Sequence, residues 1–334
     1  DSSAGGMVWI GGSTTNYAFD TNGGHFVIGG SSSTTTWNGL TVPSGHATGV
    51  RDTTGSWWGI EFATNTNTAN LLLIRTSGGD MRLFGAADAG STTLPSALYG
   101  IAWESGRVDL GSGNLTMNGL TFGSPSPATG DNWAVGIGVN NGSTNDKPVL
   151  VTTGTATATG SVGTPGSSNF WSVAIGYSDI TTGSGGFNVS ASQRAIAWNG
   201  NTFRSPLNMT SNTVQLTGSN TLQDTVSLTA TAGDAIVGGN QTVTGSGKSL
   251  VAKATGDVDT TANSVIQTNG GDIIFWSNTD KVSGNNNNSG RILLETSTTL
   301  RSQGGRIWLA GGLDDGGTDA TITSAKGAFD ATTA

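Results

Sequence analysis

The sequence predicts an all-β chain wound as a parallel β-solenoid with loop excursions. Three observations lead there. A short glycine-led pattern recurs along the chain, no window sustains a 3.6-residue apolar period, and the polar surface is built from hydroxyls and amides rather than charges. Only 11% of residues are charged, well under the roughly 25% of an ordinary globular chain. Helix surfaces usually carry Lys, Glu and Arg, whereas Ser, Thr and Asn suit turns and exposed strand faces. Ten Trp, ten Phe and many β-branched clusters argue against disorder.

The glycine pattern is two glycines, one variable residue, then apolar residues at alternating positions. Copies open at Gly5-Gly6, Gly23-Gly24, Gly78-Gly79, Gly270-Gly271 and Gly304-Gly305, with a degenerate copy at Gly111-Ser112-Gly113. The second glycines set the interval. Gly6 to Gly24 reads as one step, Gly79 to Gly113 and Gly271 to Gly305 as two, and Gly24 to Gly79 as three. The common step is about 17 to 18 positions, which predicts roughly 15 to 18 coils. A second motif places an aliphatic and an aromatic residue on one strand face, at Ile60/Phe62, Ile101/Trp103 and Ile196/Trp198. Polar tracts such as Ser31–Thr36, Thr64–Asn70 and Asn285–Ser289 read as corners. Residues 1–334 read as one continuous solenoid. Its candidate subdivision is 123–130, between decorated coils (1–122) and plainer ones (131–334).

The segments Gly-Gly-Asp-Ile-Ile-Phe-Trp-Ser (270–277) and Gly-Gly-Arg-Ile-Trp-Leu-Ala-Gly-Gly (304–312) resemble the β-strand repeats of filamentous-haemagglutinin-like exoproteins, and 23–30 and 78–85 are similar. The resemblance covers most of the chain as a style of repeat. It implies a right-handed parallel β-helix, secretion to the bacterial surface, and a role in adhesion, aggregation or an extracellular filament.

Charge narrows the functions. A net charge of −8 and the absence of a basic stripe argue against nucleic acid and against an anionic membrane surface as partners. No apolar run reaches the ~18 residues of a membrane span, and the chain has no cysteine for disulfides or thiolate metal sites. Asp1 opens a polar segment rather than a signal peptide, so the chain reads as a mature or excised fragment. Repeats begin at Gly5 and the last clear copy ends at Gly312, and neither end shows a capping segment. The expected function is therefore a structural or adhesive extracellular fibre that associates with itself or forms part of a giant repeat protein.

Two alternatives stand beside it. One is a glycan-binding module, with Trp37, Trp57 and Trp58 in Gly/Thr-rich surroundings as the residues that would stack on surface glycans or anchor a host or neighbour-cell receptor. Trp9, Trp103, Trp198, Trp276 and Trp308 lie in strand-like patterns and read as core. The other is a polysaccharide-degrading enzyme, which needs paired carboxylates. Glutamate occurs only at 61, 104 and 295, and solvent-facing strand positions are the expected placement of Glu61 and Glu104. The expectation is of no enzyme, no catalytic residue and no cofactor. His25 and His46 read as surface or corner residues rather than a ligand pair. Asp314, Asp315 and Asp319 form the densest acidic cluster and are the candidate calcium ligands, although they lack a β-roll or EF-hand register.

Overall fold

In the computed structural model the described residues are 8–11, 17–37, 39–50, 56–63, 72–88, 97–122, 131–138, 147–163, 170–279 and 290–312. They are all-β and contain no helix, and they stack as the parallel coils of a β-solenoid. The chain divides into two compact units, Asp1–Gln193 and Arg194–Ala334.

Among the described residues each unit holds five coils, and each coil contributes one strand to each of three parallel sheets. In the first unit the first sheet comprises Val8–Gly11, Ser56–Ala63, Ala97–Trp103, Asp131–Ile137 and Phe170–Ile175. The second comprises Tyr17–Asp20, Leu72–Arg75, Arg107–Gly111, Val149–Thr152 and Asp179–Thr181. The third comprises Phe26–Ile28, Met81–Asp88, Leu115–Phe122, Ala156–Val162 and Phe187–Ala191. In the second unit the first sheet is Arg194–Ala197, Thr213–Leu216, Ala235–Val237, Val258–Thr260 and Ile292–Leu293. Its second sheet is Thr202–Phe203, Ser219–Leu222, Asn240–Ser246, Val265–Asn269 and Thr299–Arg301. Its third is Leu207–Ser211, Val226–Ala230, Leu250–Ala254, Ile273–Ser277 and Ile307–Gly311.

Alternation builds the core. Ile60, Ile101, Val135 and Val173 form one inward column in register, as do Leu207, Val226, Leu250 and Ile273 in the second unit. All eight are fully buried. Each such side chain stabilises the stack by roughly 1.5–3 kcal/mol through removal of apolar surface from water.

The coil is not the fixed short step expected from glycine spacing. Phe26 pairs with Met81, whereas Leu207 pairs with Val226, so the length of one turn varies widely along the chain. The intervals Gly79 to Gly113 and Gly271 to Gly305, expected to hold two coils, are single coils, since Met81 pairs with Leu115 and Ile273 with Ile307. The glycine motif marks one corner, between the second and third sheets, while the number of residues between the other strands varies. The first copy misleads most, because Val8–Gly11 lies in the first sheet and Phe26–Ile28 in the third.

That corner explains the motif. At 21–24, 76–79 and 302–305 the two central residues both have positive φ, as in Ser77 (54°) and Gly78 (114°). This is the pattern of a type I′ turn, and glycine fits its second central position. Glycine is required at the next position for a different reason. A Cβ on Gly79 would lie 1.9 Å from the carbonyl oxygen of Gly24 on the coil before, and one on Gly305 would lie 2.1 Å from that of Gly271. The hydroxyl three residues earlier closes the turn: Thr21, Thr76, Thr268 and Ser302 each donate to the carbonyl of the second glycine.

Ser31–Thr36, read from sequence as a corner, is instead part of a strand. Gly30–Trp37 and Leu40–Gly45 form an antiparallel hairpin that interrupts the first coil's third-sheet track. Phe26–Ile28 pairs with Met81–Leu83, and the track resumes at Ala47–Val50 against Gly85–Asp88. Leu40, near the hairpin tip, is 63% exposed. Residues 64–70, 123–130 and 285–289 lie outside the described residues.

Candidate functional site

The variable residue of the glycine motif ties one coil to the next. The imidazole Nδ1 of His25 accepts the backbone N–H of Asp80 at 3.0 Å. Asp80 Oδ1 accepts the N–H of Asn114 at 2.8 Å, and Asn114 Oδ1 accepts that of Thr155 at 2.9 Å. The second unit repeats the arrangement. Ser249 accepts from Asp272, and Asp272 accepts from Arg306 while holding its guanidinium through Nε at 3.1 Å and Nη2 at 2.7 Å. This pair holds the Asp272 carboxyl below the usual carboxylate range. Asp257 ties two coils at another corner, accepting the N–H groups of Gly290 and Arg291 and two guanidinium bonds from Arg291.

A second ladder is aromatic. Trp58, Tyr99, Trp133 and Trp171 occupy one register position on four successive first-sheet strands of the first unit. Trp58 stacks on Tyr99 with centroids 6.2 Å apart and planes 12° apart, and Tyr99 meets Trp133 edge-on at 5.1 Å. Tyr99 is 3% exposed and Trp133 is buried, while Trp58 and Trp171 are half-buried. A sugar ring could therefore reach the ladder at Trp58 or Trp171 rather than at its middle. Of these four, the sequence singles out only Trp58. The signal for the others is an aromatic–small–aliphatic triplet, Trp58-Gly59-Ile60, Tyr99-Gly100-Ile101, Trp133-Ala134-Val135 and Trp171-Ser172-Val173.

The other sequence candidates are dispersed. Trp57 pairs through its backbone with Leu98, and Trp37 with Leu40 in the hairpin; the side chains of both, and of Trp9, lie outside the described residues. Trp103 and Trp276 are core residues as expected, but Trp198 and Trp308 are half-buried. Asp314, Asp315 and Asp319 lie outside the described residues. Among the described residues no group of three His, Cys, Asp or Glu side chains could hold a metal ion.

Glu61 departs from its expected solvent-facing placement. It is 7% exposed, between the strand positions of Trp9 and Ala102. Burial, and secondarily the charge of Glu104, push its carboxyl up to about 7. A carboxyl that keeps its proton near neutrality beside a second carboxylate has the electronic character of a general acid. Its enclosure leaves little room for a substrate to touch it.

In the second unit Asn201, Asn220 and Gln241 form a buried amide ladder. Asn220 Oδ1 accepts from Asn201 at 2.9 Å, and Asn220 Nδ2 donates to Gln241 Oε1 at 3.0 Å. Asp259 is raised to about 6, first by burial and then by Asp257 and Asp234, with Arg291 opposing. Comparison with protein-family models, curated proteins and solved structures found no match for this chain.

Proposed function

We propose that this chain is a structural, adhesive segment of a bacterial surface fibre, exported to the cell exterior, whose coils stack on further coils end to end. The supporting observation is the state of the last described coil. Ile307 stands in register with Ile273, which is fully buried, yet Ile307 is 45% exposed. Leu309, above the fully buried Phe275, is only half-buried. Inner side chains displayed in this way suit a following coil, supplied by more of the same polypeptide or by another copy. The corner ladders suit the same role, because each coil offers an acceptor to the backbone of the next.

Analytical ultracentrifugation and electron microscopy of the purified chain test the reading. Concentration-dependent axial association is expected, and Ile307→Arg should reduce it at least about tenfold by placing a charge on the contact. Monodisperse particles at all concentrations, or association indifferent to Ile307→Arg, would count against it. The half-buried ring of Trp58 favours glycan adhesion as a second reading. Retardation on a polysaccharide affinity gel that Trp58→Ala abolishes is its test.

A further inference from the structure

The chain has two histidines, and both lie in the first coil at its contact with the next. His25 occupies the variable position of the glycine corner, where its Nδ1 accepts the Asp80 N–H. That bond requires Nδ1 to be unprotonated. His46 follows directly on the hairpin, at the point where the chain rejoins the third sheet. Gly30 and Gly45 pair at the hairpin root, and a Cβ on Gly30 would lie 2.6 Å from the carbonyl oxygen of His46. The His46 ring stands edge-on to Phe84 at 6.1 Å, and its Nε2 is buried with no hydrogen-bond partner.

We propose that His25 and His46 form an acid-sensitive latch that fastens the first coil to the second and releases it when both imidazoles take up protons. A proton on His25 Nδ1 would set donor against donor at the Asp80 N–H, and a proton on His46 would place a charge against Phe84 in an enclosed site. Burial already holds the His46 imidazole below its ordinary value of 6.5, with the Asn118 side chain opposing. The sign follows: its stabilising contribution is complete above 6.5 and is lost as the pH falls through the lowered folded value.

The surrounding charges leave this intact. Met81–Asp88, packed beside His46, carries Arg82 and Asp88, while Leu115–Phe122 and the hairpin strands carry no charge. Glu61 lies in the neighbouring first-sheet strand. Near His25, Asp20 and Arg75 pair with each other at 3.7 Å, and the Asp80 carboxylate is turned to Asn114. Release would uncover the fully buried Ile60, Ile74, Met81 and Leu83. The inference stands apart from the fibre reading, since it concerns only how one coil is held.

Hydrogen exchange of the full chain, read by mass spectrometry at about pH 7.5 and about pH 5.5, tests it across the range where imidazole titrates. Protection factors for peptides within 17–50 should fall at the lower pH, about tenfold for each unit by which opening raises the His46 pKa. Peptides within 207–230 of the same molecule serve as the reference and should be unchanged. His25→Asn supplies the acceptor that Asn114 supplies further along the same ladder, and His46→Gln cannot titrate; together they should abolish the response. Should His46→Gln loosen the coil at neutral pH, His25→Asn alone must still diminish the response. Wild-type protection indifferent to pH, a response that survives both substitutions, or an equal loss in the reference peptides would each overturn the latch.

Discussion

The two units bury the same kind of inward column and share the polar ladder at the glycine corner, but add different further ties between their coils. In the first unit successive third-sheet strands lie far apart in the chain, as Phe26 does from Met81 and Ala156 from Phe187, and a four-ring aromatic ladder runs through the first sheet. In the second unit most of these steps are shorter, as from Leu207 to Val226 or Leu250 to Ile273; only the last, from Ile273 to Ile307, matches the step from Met81 to Leu115. The ties there are polar: a buried amide ladder and two bidentate Arg–Asp pairs. Where strands lie far apart in the chain, shape adds to the corner bonds in fixing register, and stacked rings supply it. Short coils bring corners into tight alignment, where amides and carboxylates meet their partners every turn. Hydrogen-bonded ladders specify register more sharply, because a slip leaves buried polar groups unsatisfied.

That contrast is open to direct attack. The largest effect is expected in the first unit. Tyr99→Ala removes the ring between Trp58 and Trp133 and should cost about 3–5 kcal/mol, the range for truncating a buried aromatic. Exchange protection should collapse within 56–138 while 207–270 holds. Next comes Asn220→Leu in the second unit. It deprives Gln241 Oε1 of a donor and the Asn201 amides of their acceptor, and should cost about 2–3 kcal/mol. Denaturant melts of both variants, followed by unit-resolved exchange, would erase the contrast if each loss spread evenly over both units.

Much of this architecture is legible in the sequence, and the failures have physical causes. The second glycine is readable because no other residue allows the Gly79 backbone to approach the Gly24 carbonyl so closely. Coil length is not readable, because closing a longer loop costs little, about 0.6 kcal/mol for each doubling. The long step from Phe26 to Met81 therefore serves as well as the short one from Leu207 to Val226. The aromatic ladder is hidden since its members each stand a full coil apart and come together only through register. Asn201, Asn220 and Gln241 sit in polar tracts that look like loop, and nothing local marks them as inward. Glu61 alternates correctly as outward, yet lies covered.

Glu61→Gln should raise stability at pH 8 by about 1–3 kcal/mol, since the glutamine keeps the shape and cannot ionise. The folded carboxyl titrates at about 7 against an ordinary 4.5. A raised carboxyl favours the fold fully below its unfolded value, and that advantage is lost as the pH climbs to the folded value. Wild-type stability should therefore decline between about pH 4.5 and 7, and the variant should lack that slope. Equal pH slopes in the two proteins would show that Glu61 is solvated.

The smallest effect is its counterpart in the second unit. Asp259 lies on the outward face between Ile236 and Leu293, with Oδ1 buried and unpartnered. Its carboxyl is raised to about 6 from 3.8, by burial and then by Asp257 and Asp234. The direction of linkage is the same, with stability declining between pH 3.8 and about 6. The side chain is half-buried and Arg291 lies nearby, so solvent and the guanidinium screen the cost. Asp259→Asn should stabilise by under about 1 kcal/mol at neutral pH and shift the melting temperature only slightly. The comparison between units rests on that ordering. If Asp259→Asn stabilised more than Glu61→Gln, the polar unit would be the more strained of the two, and its ladders would be holding charge against its preference rather than fixing register.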